Sequence, residues 1–74
     1  REGALLAQPM AARACGLAAT GRLDEARAAM ARALDLAEET TLDQFWVRAR
    51  VHELALEKFP RDPDVVARAE AVFP

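Results

Sequence analysis

Isoleucine, tyrosine, serine and asparagine do not occur in this 74-residue chain, and valine and threonine together supply only eight β-branched residues. That is too few for a sheet. Cys15 is the only cysteine, so no internal disulfide can form. His52 is the only histidine and lies far from that cysteine, which leaves no spacing for a structural zinc site. Ten basic residues are interspersed among twelve acidic ones at a net charge of −2, without the footprint of a nucleic-acid binder. No apolar run approaches the roughly 18 residues of a membrane span. No glycine-rich phosphate loop and no metal-ligand spacing occur. Catalytic, cofactor and metal sites are therefore expected to be none, and the chain is not expected to be an enzyme.

What is abundant is alanine, with 18 copies in a chain that is 53% hydrophobic and 30% charged. Disordered segments lack that much apolar surface. The composition is that of an all-α protein. The length allows one small domain over 1–74, or a piece of a larger repeat array. The first residue is Arg1 rather than Met, which reads as a mature fragment, a trimmed chain or an excised domain, and a cytoplasmic location is the expectation. Below ~70–80 residues a lone core rarely gives more than a few kcal/mol. Here half of it is alanine, which buries little area, so surface borrowed from a neighbour is expected.

Periodicity places four helices, at about 9–20, 23–39, 42–59 and 63–73. Residues 1–8 read as a lead-in, and Pro9 suits a first turn, where its missing N–H is no loss. Met10, Ala14 and Leu17 share a face of helix one. Gly16 inside that helix costs about 1 kcal/mol against alanine, which a close helix crossing would offset. Gly21 fits a left-handed helix end. In helix two, Leu23, Ala26, Ala29, Met30, Ala33, Leu34, Leu36 and Ala37 fill one arc of about 160°. Thr41 with Gln44 three later matches a capping box. Asp62 and Pro63 make an N-cap and first helical residue. Val65, Val66, Ala69, Val72 and Phe73 form the stripe of helix four.

Helix three differs. Leu42, Phe45, Trp46, Ala49, Leu56 and Phe59 form one face with His52 among them. Val47, Val51, Leu54 and Ala55 form another on the far side, and Asp43, Arg50 and Glu57 make a narrow polar stripe. A helix apolar on two sides is covered on two sides. Helices one and two are expected to cover one side, and the short fourth helix part of the other. The remainder marks an interface, for which Trp46, Val47, Val51, Leu54, Val66 and Phe73 are the candidates.

The string Ala-Ala-Thr-Gly-Arg-Leu-Asp-Glu-Ala-Arg-Ala-Ala-Met-Ala-Arg-Ala-Leu-Asp-Leu, within residues 12–39, resembles a tetratricopeptide repeat (TPR). Gly21, Leu23, Asp24, Glu25, Ala26, Met30, Ala33 and Leu34 fill the family's turn, acidic-pair and small-residue places. Met10, Arg13, Ala14 and Glu38 depart from it, Glu38 standing where the family closes with proline. The wording is also similar to the helical tail of bacterial extracytoplasmic-function sigma factors and to repeat modules of large bacterial transcription activators. The TPR resemblance implies antiparallel helical hairpins, stacked right-handedly from about four helices, and a scaffold for protein–protein interaction.

The single reactive side chains have ordinary accounts beside functional ones. His52 is either a partly buried histidine bonded to a neighbour, or a general base or pH switch. Cys15 reads as a small buried hydrophobe. Glu53 is expected to pair with Arg50 or another arginine. Trp46 is either a core residue or an interface anchor. The functional expectation is an interaction module whose partner is another protein, a neighbouring repeat or a second copy in a homodimer, with no nucleic acid and no membrane span. The alternative is a structural or oligomerisation domain at the end of a larger bacterial protein, such as a transcription regulator or cell-envelope enzyme.

Overall fold

Alanine recurs at every third or fourth position of the first helix, and small side chains at a helix contact favour the short end of the ~8–10 Å range of interaxial distances. Ala7, Ala11 and Ala14 on one side and Ala26, Ala33 and Ala37 on the other are completely buried. Met30 and Leu34 are buried with them. Each large side chain so buried stabilises by roughly 1.5–3 kcal/mol.

The computed structural model describes residues 2–73. It is all-α, with helices α1 (Ala7–Ala19), α2 (Leu23–Ala37), α3 (Phe45–Lys58) and α4 (Pro63–Val72). Short 3₁₀ segments, Glu2–Leu6 and Leu42–Gln44, precede α1 and α3. α1 packs along α2 and against α3, while α4 packs on α2 and α3. The Cα trace has principal extents of 34 × 22 × 14 Å, a thin slab of helices.

The turns follow local chemistry. Gly21 has φ 82°, a left-handed conformation. The Arg22 N–H donates to the Leu17 carbonyl (3.0 Å) and the Gly21 N–H to Ala18 (3.1 Å), the paired bonds of a Schellman ending. The Thr41 N–H donates to Gln44 Oε1 (3.3 Å), as the capping-box spacing requires. Asp62 Oδ1 accepts from the Val65 N–H (3.2 Å) with Pro63 next to it. Asp62 Oδ2 also meets Arg27 Nε at 2.5 Å, which ties the start of α4 to α2.

Several expectations change. α1 begins at Ala7, two residues before Pro9, because the 3₁₀ lead-in feeds straight into it. Gly16 lies at no close crossing; a Cβ there would meet nothing within 4 Å. α2 stops at Ala37 rather than at 39, because side chains take its last carbonyls: Thr40 Oγ1 donates to Ala37 O (2.8 Å) and Arg48 to Glu38 O (2.9 Å). Leu42 starts a 3₁₀ turn, so regular α3 begins at Phe45 and ends at Lys58 before Phe59-Pro60. α4 ends at Val72, one residue before Phe73. Leu23, assigned to the buried arc of α2, is 59% exposed at its first turn.

The largest correction concerns α3. Its inward face is Val47, Val51 and Ala55, all buried. Val47 and Val51 belong to the chain's own core and are not available to a partner. The other face is covered in part, as expected: Phe59 is buried, Leu56 packs against the core and His52 bonds to Ala69 of α4, while Phe45 and Trp46 at its start stay exposed.

Candidate functional site

Successive antiparallel helices bring the start of α1, the end of α2, the start of α3 and the end of α4 to one end of the slab. Gly3 sits against the Leu36 side chain there. Among the described residues the exposed large hydrophobics are Leu5, Leu6, Leu23, Leu42, Phe45, Trp46 and Phe73. All but Leu23 lie at this end. Leu42 is 91% exposed, Phe45 59%, Trp46 50% and Phe73 37%. An isolated exposed apolar residue needs no explanation, but a cluster does.

A groove of about 470 Å³ runs between the α2–α3 connection and the end of α4, lined by Thr40, Thr41, Leu42, Phe45, Arg48, Val72 and Phe73. Arg48 holds its walls together. Its Nε donates to Thr40 Oγ1 (2.5 Å), one terminal N–H group to Glu38 O (2.9 Å) and the other to Val72 O (3.5 Å). The cation thus sits at the C-terminal, partially negative ends of two helices.

His52 stands behind the groove on α3. Its Nδ1 lies 2.8 Å from the Ala69 carbonyl, which can only accept, so Nδ1 carries the proton. Phe73 meets the imidazole edge-on, with ring centres 5.5 Å apart. That is the partly buried, hydrogen-bonded histidine of the sequence reading. Leu54 and Val66 are half-buried, and Leu54 packs against the core. Of the six interface candidates, the structure brings Phe73 to the groove, puts Trp46 beside Phe45 at the same end, and withdraws Val47 and Val51.

The charges around this end are unevenly satisfied. Arg50 pairs with Glu53, and Arg68 with Asp35 and, at 3.7 Å, with Glu38. Asp43, next to Leu42, and Glu70, one turn before Phe73, are exposed carboxylates with no partner. The Arg48 anchor and these two carboxylates are features the sequence reading missed. The signal for the anchor was an arginine facing two helix C-termini, visible only once the helices are placed.

Cys15 is half-buried on α1. Burial pushes its thiol up, Lys58 opposes the shift, Glu57 adds to it and Arg50 opposes it. Among the described residues, no group of three His, Cys, Asp or Glu side chains is placed to hold a metal ion. No helix there is long and apolar enough to cross a membrane. Comparison with known proteins gives no match: no family model, no curated protein and no solved structure aligns with the chain.

Proposed function

We propose that the chain is a protein–protein interaction module, a TPR-like helical scaffold without catalytic activity of its own. One observation carries the reading. The domain encloses a core from Ala4 to Val72, yet leaves Leu42, Phe45, Trp46 and Phe73 exposed around one groove. Those four are large enough to have formed a core. Full burial of such a side chain is worth roughly 1.5–3 kcal/mol, and a bound partner recovers the share that remains exposed, about a third for Phe73 and nearly all for Leu42.

Three features support the TPR-like part. The α1–α2 hairpin closes at Gly21 with left-handed φ. Ala26, Met30 and Ala33, which fill the repeat's small and large places, are fully buried. α3 packs on both members of the first hairpin, and α4 on α2 as well as on α3. The absence of catalysis is supported by the commitments of the reactive groups: His52 Nδ1 is spent on a helix carbonyl, and Cys15 is a half-buried thiol with a raised pKa.

The test is a photoreactive benzoylphenylalanine at position 45, against the same residue at position 32 on the outer face of α2. A covalent adduct with a polypeptide from position 45 alone is expected. No adduct from 45, or equal adducts from both, overturns the reading.

A further inference from the structure

We propose that the pocket at the α3–α4 turn binds a small apolar monocarboxylate, a carboxylate carried on an aromatic or alkyl body. The pocket lies away from the exposed aromatics, at the end of the slab where α2 starts, α3 ends and α4 starts.

The Phe59-Pro60-Arg61-Asp62-Pro63 string builds it. Pro60 and Pro63 have fixed φ, and the Asp62 N–H donates to the Phe59 carbonyl (3.2 Å), so the turn is held before any ligand arrives. Between this turn and the start of α2 lies a cavity of about 370 Å³, a size that suits a small molecule. Phe59, Pro60 and Leu23 form its apolar wall. Leu23 is the large hydrophobic side chain of α2 that stays exposed, at 59%.

Charge selects the head of the ligand. Three cations line the cavity, Arg27, Lys58 and Arg61, against one carboxylate, Asp62. That carboxylate is committed twice, with Oδ1 accepting from the Val65 N–H and Oδ2 meeting Arg27 at 2.5 Å. Arg61 has no ion-pair partner among the described residues. Lys58 has only its exposed sequence neighbour Glu57, at 3.5 Å, a pairing that contributes little and yields to a ligand. Asp24 and Asp64 do not line the cavity. Two cations and an apolar wall therefore face one space, and they complement an anion with an apolar body.

The start of α4 decides against phosphate. Helix starts hold phosphate through free N–H groups. Here Pro63 has none, and the N–H of Val65 is taken by Asp62. The anion is left to side-chain cations alone, which match a single carboxylate better than a dianion that needs a cradle of donors.

The probes are 4-phenylbutyrate, 4-phenylbutanol and 4-phenylbutylamine, which share one apolar body and differ in the head. Amide shifts in two-dimensional NMR of the 74-residue chain report where each binds. Phenylbutyrate is expected to give saturable shifts at Leu23, Phe59 and Arg61 and none at Phe45, Trp46 or Phe73. Its Kd should be at least about fivefold lower than that of the alcohol, with the amine weakest. The double variant Lys58→Glu, Arg61→Glu should weaken phenylbutyrate binding by about fivefold or more, whereas Arg32→Glu on the outer face of α2 should not. Inorganic phosphate should shift none of these amides. No saturable shift with phenylbutyrate, equal affinity for acid and alcohol, shifts confined to the aromatic end, indifference to the double variant, or a phosphate response at the pocket overturns the proposal. The crosslink from position 45 probes the other end of the slab, so the two readings succeed or fail separately.

Discussion

Arg48 of α3 donates to the main-chain carbonyl of Glu38 at 2.9 Å, ten residues earlier in the chain, and so closes the end of α2 with a side chain from the next hairpin. The same guanidinium reaches the carbonyl of Val72 at the end of α4. One side chain thereby joins three helices at the end that carries the exposed aromatics. Hydrogen bonds from a charged donor contribute about 1.5–3 kcal/mol, more than the exposed Arg22–Glu25 pair can.

Arg48→Met keeps the aliphatic stem and removes all three bonds. It should lower unfolding stability by about 1.5–3 kcal/mol in urea titration. Arg48→Lys should recover less than half, because an ammonium cannot span acceptors on two helix ends. Unchanged stability in the Met variant would mean that solvent caps both helices equally well.

Two glycines should respond in opposite directions. Gly16 lies within α1 with open space where a Cβ would stand. Gly16→Ala should stabilise by roughly 0.5–1 kcal/mol. Gly21 also has open space but holds φ 82°. Gly21→Val should therefore cost on the order of 1–2 kcal/mol from backbone strain alone. Thermal melts of the two variants decide it, and a neutral Gly21→Val would contradict the left-handed turn.

Carboxylates placed on the two faces of α3 should separate core from surface. Val51 is wholly buried and half of Trp46 is exposed. Val51→Asp strands a charge among alanines and valines, costing several kcal/mol, comparable with the whole stability of so small a domain. Cooperative unfolding should disappear. Trp46→Asp should shift stability by only about 0.5 kcal/mol while abolishing the position-45 crosslink. Equal damage from both would place the indole in the core.

Alkaline pH should destabilise the fold through Cys15. Its folded pKa is raised, chiefly by burial. The unfolded thiol, with pKa near ~8.5, then ionises first, so the unfolded state binds fewer protons and stability falls as pH rises through that value. The contribution is fully present below it. Cys15→Ala should flatten this part of the stability–pH curve, and iodoacetamide should alkylate native Cys15 more slowly than the unfolded chain. Rapid native alkylation at pH 8 would contradict the shift.

Much of this architecture is written locally. The stripe on α2 is legible because alanine, leucine and methionine recur at one helical angle, and all but Leu23 of that arc are buried. The Gly21 turn and the Asp62–Pro63 start depend on residues within five positions of one another, so short-range chemistry decides them. His52 was legible as a bonded, half-buried side chain, though not its acceptor, Ala69 seventeen residues away. What periodicity could not choose was the inward face of α3. Two apolar faces are equally visible as angles; only the shape of the opposing surface ranks them. Val47, Val51 and Ala55 turn into the core, Leu56 and Phe59 pack at the far end of the second face, and Phe45 and Trp46 at its start are left exposed. The aromatic end, the Arg48 anchor and the unpaired Asp43 and Glu70 follow from that choice. They exist only in the packed molecule, because each is a relation between helices rather than a property of one.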